Sequence, residues 1–430
     1  MSVQPAAPSR RLPHALKGGV GRIAAQAAVQ IGGRAVSIVA GVAASVVLGR
    51  YLGPAVYGQY VYVIAYFGIF STVASFGLET LAVRDLAAQP EQTDDILSTL
   101  LTLRTAFAVA TVPLAIAFLF ATEASDQLRL LVLITSPTLL TGAVSSVGAL
   151  FAARLTSQYR VASELIQPVV FLAAAFAIVA AGLGIREVVA AYVVSFVLYS
   201  AVLFALSRRF ARPRLRINSA YARRILRGSL PVGVGAIFFQ IYYRVDILML
   251  DRLRGGDAVG LYGVAYGFFA QGPALFSLIA TTLFPVLVVR ARTEAGGLVG
   301  AVGRSAGLAV GLGLAGAATC AVAGPVVLRL MYGGSFEGAG TALAILGVAL
   351  PFSFSTYVFN YSLVAIDRHH TTWVVNGLAA VLNVALNWFM IPSLSYIGTS
   401  YATVATEACV CIVQGAILGR VLLARSSKKW

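Results

Sequence analysis

Twelve times along this chain of 430 residues, a run of about twenty mostly apolar residues is closed off by a charged or helix-breaking stretch. Each run is long enough to cross a hydrocarbon layer of about 30 Å. They lie at approximately 27–48, 58–82, 98–121, 128–150, 163–183, 187–206, 229–251, 258–288, 304–325, 341–365, 372–391 and 399–420. A segment in lipid has no water to satisfy its backbone, and none of these runs alternates in the manner of a barrel strand, so each is expected to be a helix. The chain is 59% hydrophobic and 11% charged, which no soluble class matches. The expected fold class is therefore all-α: a polytopic membrane protein of about twelve transmembrane helices.

The net charge of +16 then reports on orientation. Of the Lys and Arg residues, 23 fall in one set of alternate loops and six in the other, with Arg34, Arg104 and Arg244 inside spans. Basic loops stay in the cytoplasm. The reading is a multi-pass protein of the plasma (inner) membrane with both termini cytoplasmic and an uncleaved first span. The richest loop, "RRFARPRLRINSAYARRILRG" (208–228), holds eight arginines and no acid. It is too short and isolated for a nucleic-acid reader, so no nucleic-acid partner is expected; anionic headgroups of membrane lipids are its natural contact. Cys320, Cys409 and Cys411 lie within apolar runs and are read as small buried hydrophobes.

The chain after this loop repeats the chain before it. Leu48, Arg50, Gly53, Gly58 and Tyr60 recur 202 residues later as Leu250, Arg252, Gly255, Gly260 and Tyr262. The organisation expected is a six-helix half at 1–206, a basic cytoplasmic connection at 207–228 and a second six-helix half at 229–430. Six spans per half give both the same orientation, around a central cavity, as in transporters built from parallel repeats.

Several stretches carry a family resemblance: "RYLGPAVYGQYVYV" (50–63), "RVDILML" (244–250), "AVGLYGVAYGF" (258–268), "LFPVLV" (283–288) and "NVALNWFMIPSLSYIGTSYATVATE" (383–407). They resemble the polysaccharide transporter family of O-antigen-type flippases, in the superfamily that also holds multidrug exporters and lipid II flippases. The resemblance implies a flippase that moves a polyprenyl-pyrophosphate-linked oligosaccharide to the outer leaflet by alternating access, for cell-surface polysaccharide biosynthesis. It further implies a lipid-linked oligosaccharide substrate, polysaccharide assembly enzymes as partners, and a monomer.

Charges left inside a membrane are costly unless they face a cavity or a partner. Arg34 and Arg244, one in each half, suit a pyrophosphate, because guanidinium forks pair with phosphate oxygens and keep their charge; Gln240 shares the face of Arg244. The alternative is that Arg34 snorkels to the headgroups and Arg244 pairs with a local acid. Arg50 and Arg252 would stand at the outer mouth, with a structural role beside the following glycines as the alternative. Arg104 is expected at the membrane interface.

With no ATP-binding motif, coupling falls to an ion, Na+ or H+, and no other cofactor is expected. Asp246, Asn383, Asn387, Thr403 and Glu407 come out at similar depths in the second half and carry the oxygen ligands that a small cation takes. Lipid II flippases resemble this in placing a sodium site among the corresponding helices. Glu407 is alternatively a proton carrier.

Two competing functions remain. A membrane glycosyltransferase or polymerase would work on sizeable outer loops, which are missing here; His14, His369 and His370 all fall on the cytoplasmic side, and the chain is not expected to be an enzyme. Glycine-rich "GLAVGLGLAG" (307–316) lies within a span, where small residues let helices approach. A multidrug exporter shares the fold, but Arg34 and Arg244 favour an anionic cargo over organic cations.

Overall fold

A computed structural model describes residues 15–427 apart from 122–124, 155, 294, 367 and 369. Arg10, Arg11, His14, His369, Lys428 and Lys429, and with them both termini, lie outside the described residues. The described residues form helices, joined by turns and short loops. Nine of these helices are long and apolar enough to cross a membrane, or ten when the bent pair Gly334–Gly347 and Leu350–Ala365 counts as one span.

Two of the nine are continuous runs long enough to cross twice, Val29–Ser75 and Thr371–Ala424, of 47 and 54 residues. Each breaks once, at Gly53 and at Ser395. Side-chain contacts show that both breaks are reversals. Ser45 hydrogen-bonds Tyr57 at 2.5 Å, although twelve residues of straight helix would separate them by ~18 Å. Asn383 likewise reaches Thr406 at 3.4 Å across what would be ~35 Å of helix. Counting each run as a hairpin is what separates ten spans from the expected twelve.

Gly53 turns at φ 70°, ψ 171°, and Gly255, its partner in the 202-residue repeat, turns at φ 81°, ψ 179°. A side chain at that φ would be strained, so glycine is the residue that both reversals use. The two hairpins then meet each other. A Cβ built on Gly58 would lie 1.9 Å from the Gly256 carbonyl oxygen, and one built on Gly260 would lie 2.1 Å from that of Pro54. Positions 54 and 256 are themselves repeat equivalents, so the crossing is two-fold in register. A large apolar core spreads outward from it: Leu48 and Tyr66 on the first hairpin pack into one cluster with Leu250 and Tyr262 on the second.

The basic connection differs from an all-loop linker. Residues 219–228 open the long helix Ser219–Arg254, capped by the Asn218 side chain, which accepts from the Tyr221 amide. Residues 212–218 are non-helical, bend at Leu215 and lie against helix Thr93–Ala121. The amides of Arg212, Arg214 and Asn218 donate to Asp94 (2.8 Å), Ser98 (3.1 Å) and Thr99 (3.0 Å), and the Thr102 hydroxyl donates to the Arg216 carbonyl (3.0 Å). Tyr221 and Ile225 share an apolar cluster with Leu81 and Leu97. The connection is thus strapped onto the first half.

In the glycine-rich helix Ala295–Val322, a Cβ on Gly313 would meet Pro351 Cα at 2.4 Å, so small residues there do admit the neighbouring helix. The cysteines are free thiols, but none is fully buried: Cys320 and Cys411 are half-buried and Cys409 is exposed. Arg104 also departs from expectation. It lies eleven residues into its helix, is 6% exposed and donates to the Gly142 carbonyl at 2.9 Å, so it is inside the bundle instead of at an interface.

Candidate functional site

Between the hairpins lies a cavity of about 960 Å³. One wall is a face of the first helix at helical spacing, Gln30, Arg34, Ser37, Gly41 and Ser45, and the opposite side carries Gly263, Gly267 and Gln271. Arg34 is exposed into this space. A third wall comes from helix Ser157–Glu164 and its continuation, which bring Arg160, Glu164 and Gln167 to the same cavity. Arg160 donates to Glu164 at 2.7 Å, a pairing one helical turn apart. Loop counting assigns Arg160 to a cytoplasmic connection; the structure makes it a wall residue, and the available signal was its i,i+4 spacing from Glu164.

At the glycine end the cavity is stoppered. Ser45 bridges Tyr57 at 2.5 Å and Tyr332 at 2.6 Å, joining residues from both halves above the void. Arg50 lies beyond this stopper. Its guanidinium donates to the Met331 and Leu330 carbonyls at 2.6 and 2.5 Å, satisfying the last turn of helix Gly324–Tyr332. That is the structural alternative open to it, and it leaves Arg50 outside the cavity. Arg252 is exposed and is likewise not among the lining residues. Arg244 is not among them either. Its guanidinium stacks over the Tyr243 ring with 5.4 Å to the centroid, while its buried Nε has no hydrogen-bond partner. Of the four arginines read as phosphate ligands, Arg34 alone lines this cavity.

The five residues read as ion ligands are all buried, with exposures of 1% for Asp246, 1% for Asn383, 0% for Asn387, 5% for Thr403 and 7% for Glu407. They form a polar seam with two carboxylate centres. Asp246 accepts from the Tyr262 hydroxyl at 2.5 Å and the Ile247 amide at 2.8 Å, and the same hydroxyl meets Thr403 at 3.1 Å. Glu407 is held apart, accepting from Tyr242 and, at 2.7 Å, from Ser353. On the same helical hairpin as Glu407, Asn387 donates to the Asn383 side-chain oxygen at 3.0 Å. The Asn387 side-chain amide oxygen and the Thr399 hydroxyl are buried with no partner. Unsatisfied buried oxygens are costly, and Thr399 lies one turn before Thr403, whose hydroxyl donates to the Thr399 backbone carbonyl at 3.1 Å. Tyr262, Tyr242 and Ser353 escaped the sequence reading; Tyr262 stood in the repeat only as an alignment match.

The sequence pattern of the polysaccharide biosynthesis protein family matches residues 24–289, more than half of the chain. The chain belongs to that family. No curated protein matches it. Among solved structures, it is similar to an inward-facing multidrug resistance MATE transporter of the MOP superfamily, at 15% identity and TM-score 0.75, covering 92% of this chain and 96% of the other. It is similar to the lipid II flippase MurJ in an inward closed conformation, at 16% identity and TM-score 0.74, covering 90% and 86%. Against an outward-facing MATE transporter the TM-score is 0.66, at 16% identity and 94% and 96% coverage. The fold of this family member is that of the MOP-superfamily transporters.

Proposed function

We propose that this protein is a flippase which carries a polyprenyl-pyrophosphate-linked oligosaccharide from the cytoplasmic to the outer leaflet by alternating access between its two halves, driven by Na+ or H+. The observation that carries the reading is the cavity itself. It is lined by Arg34 and Arg160, ringed by glutamines and hydroxyls, and closed at the glycine end by the Ser45, Tyr57 and Tyr332 stopper. A guanidinium supplies a fork for phosphate oxygens, and amides and hydroxyls supply hydrogen bonds for sugars. With the arginine-rich connection in the cytoplasm, the stoppered end faces outward and the molecule is in its inward state, in keeping with the higher similarity to inward-state structures. Coupling is assigned to the buried seam: Asp246, Thr403 and the unpartnered Asn387 and Thr399 oxygens are hard ligands for a small cation, and Glu407 is a separate proton-binding carboxylate. Assembly enzymes would supply the substrate and consume the product, and the chain acts as a monomer.

The test is translocation in proteoliposomes under an imposed Na+ or H+ gradient, with a labelled polyprenyl-pyrophosphate glycan in one arm and a fluorescent cationic drug in the other. Gradient-driven movement of the glycan alone is expected. Movement of the drug alone would make the protein a multidrug exporter.

A further inference from the structure

A second cavity, of about 700 Å³, lies at the linker end, between the helix Leu78–Ala88, the helix Ser219–Arg254 and the start of the helical run His370–Ser427. Its relation to the first cavity is given by the repeat. Gln30, Gly33, Arg34 and Ser37 line the first; 202 residues on, Val232, Gly235, Ala236 and Phe239 line the second. The same helical face is used in both, but every polar side chain has been replaced by an apolar one or none. The wall across from this face carries Asn360, Thr372 and Asn376, of which Thr372 donates to Asn360 at 3.2 Å, so it is the Val232, Ala236 and Phe239 face that accepts hydrocarbon.

Charge is found only at its rim. Arg84 and Arg224 converge on the single carboxylate of Asp85, at 3.0 and 3.7 Å. Asp85 has a side chain 10% exposed, while the arginines are 72% and 57% exposed. One buried negative charge between two exposed guanidinium groups leaves a positive excess turned toward solvent, with free donors on both forks. From Arg224 to Phe239 the helix advances ~22 Å. That exceeds the ~15 Å of one leaflet's hydrocarbon and leaves room for a headgroup. A cationic rim above an apolar channel one leaflet deep is complementary to an anionic phospholipid: phosphate on the guanidinium pair, one acyl chain along Val232, Ala236 and Phe239 beneath Trp373.

We propose that the second cavity binds one anionic phospholipid of the leaflet on the linker side, through Arg84 and Arg224. This site is distinct from the substrate cavity, and the proposal takes only its choice of leaflet from the orientation given above.

The experiment is native mass spectrometry of the purified full chain released from nanodiscs of equal phosphatidylglycerol and phosphatidylcholine content. The wild type is expected to retain one phosphatidylglycerol in preference to phosphatidylcholine. Arg84→Gln with Arg224→Gln should reduce that preference roughly tenfold, the loss of one charge-assisted hydrogen bond or more. Arg208→Gln with Arg209→Gln removes the same charge from the exposed part of the connection outside the cavity, where attraction to headgroups is diffuse and holds no single lipid, and should leave the preference unchanged. Ala236→Trp, which fills the channel and spares the arginines, should lower retention and serves as the deciding variant if the arginine pair is poorly folded. Equal retention of both lipids by the wild type, an equal loss in the connection variant, or displacement of the lipid by millimolar inorganic phosphate would overturn the proposal. Retention requires no substrate and no ion gradient, so a negative result here leaves the flippase reading standing, and a failed transport assay leaves this one standing.

Discussion

The hairpin around Gly53 and the hairpin around Gly255 share a backbone and have diverged in chemistry. Both reverse through a glycine in the same conformation, and each lays a glycine on the other's carbonyl at the crossing. Yet Ala44 in the first corresponds to Asp246 in the second, and Arg34 corresponds to Ala236. One hairpin turns an arginine into a wide cavity; the other encloses a carboxylate with Tyr262 and Thr403. The difference teaches that duplication preserved what closure needs, which is two smooth surfaces in register, while the faces behind it were free to specialise. In the flippase reading the first half holds cargo and the second half holds the coupling ion.

The strongest way to break that division is at Asp246. Asp246→Asn removes a buried carboxylate held by the Tyr262 hydroxyl and the Ile247 amide, where each hydrogen bond to a charged group contributes about 1.5–3 kcal/mol, and gradient-driven transport is expected to fall by two orders of magnitude or more. Ala44→Asp, at the repeat-equivalent site, should not restore it. Gradient dependence surviving in Asp246→Asn proteoliposomes would move the coupling site elsewhere, with Glu407 the next carboxylate to test.

Arg34 sharpens the other side. Arg34→Gln removes a charge-assisted contact of about 1.5–3 kcal/mol, so glycan translocation should drop roughly tenfold to a hundredfold, and Arg34→Lys should recover part of it. Ala236→Arg should bring no gain in cargo binding. If Arg34→Gln transports normally, the cavity arginine is not a phosphate ligand.

The crossing itself should respond symmetrically. Gly58→Ala and Gly260→Ala each place a methyl group against a backbone carbonyl, an overpacking of about 1–3 kcal/mol that disfavours closure at the glycine end. Crosslinking between cysteines introduced at positions 54 and 256 should slow in both variants, and to a similar degree. A large effect in one with none in the other would show the two-fold register to be broken.

The smallest effect is expected at the stopper. Tyr332→Phe removes one hydroxyl from Ser45, about 0.5–1.5 kcal/mol, and a modest rise in accessibility of the glycine end to a membrane-impermeant thiol reagent is the readout. No change in labelling would assign closure to the glycine crossing alone.

What could be read without coordinates was whatever the local chain and the bilayer settle between them. Lipid leaves a backbone no partner but itself, so an apolar run of twenty residues announces a helix, and a glycine between two such runs announces a reversal. The repeat was legible for the same reason, because Gly53 and Gly255 are required by conformation at a single residue. The buried seam was half legible: a carboxylate or amide inside an apolar run is anomalous wherever the run ends up. Its hydrogen-bond donors were not, since Tyr262, Tyr242 and Ser353 are ordinary residues until folding brings Tyr262 to Asp246 and Tyr242 and Ser353 to Glu407. Arg50 and Arg160 show the limit most clearly. Both are arginines near a span end, and loop counting places Arg50 at the outer mouth and Arg160 in a cytoplasmic connection without saying which of them faces the cavity. The fold spends Arg50 on the carbonyls of a helix about 280 residues away and turns Arg160 into the cavity. Which way a side chain faces depends on neighbours that only the packed bundle supplies.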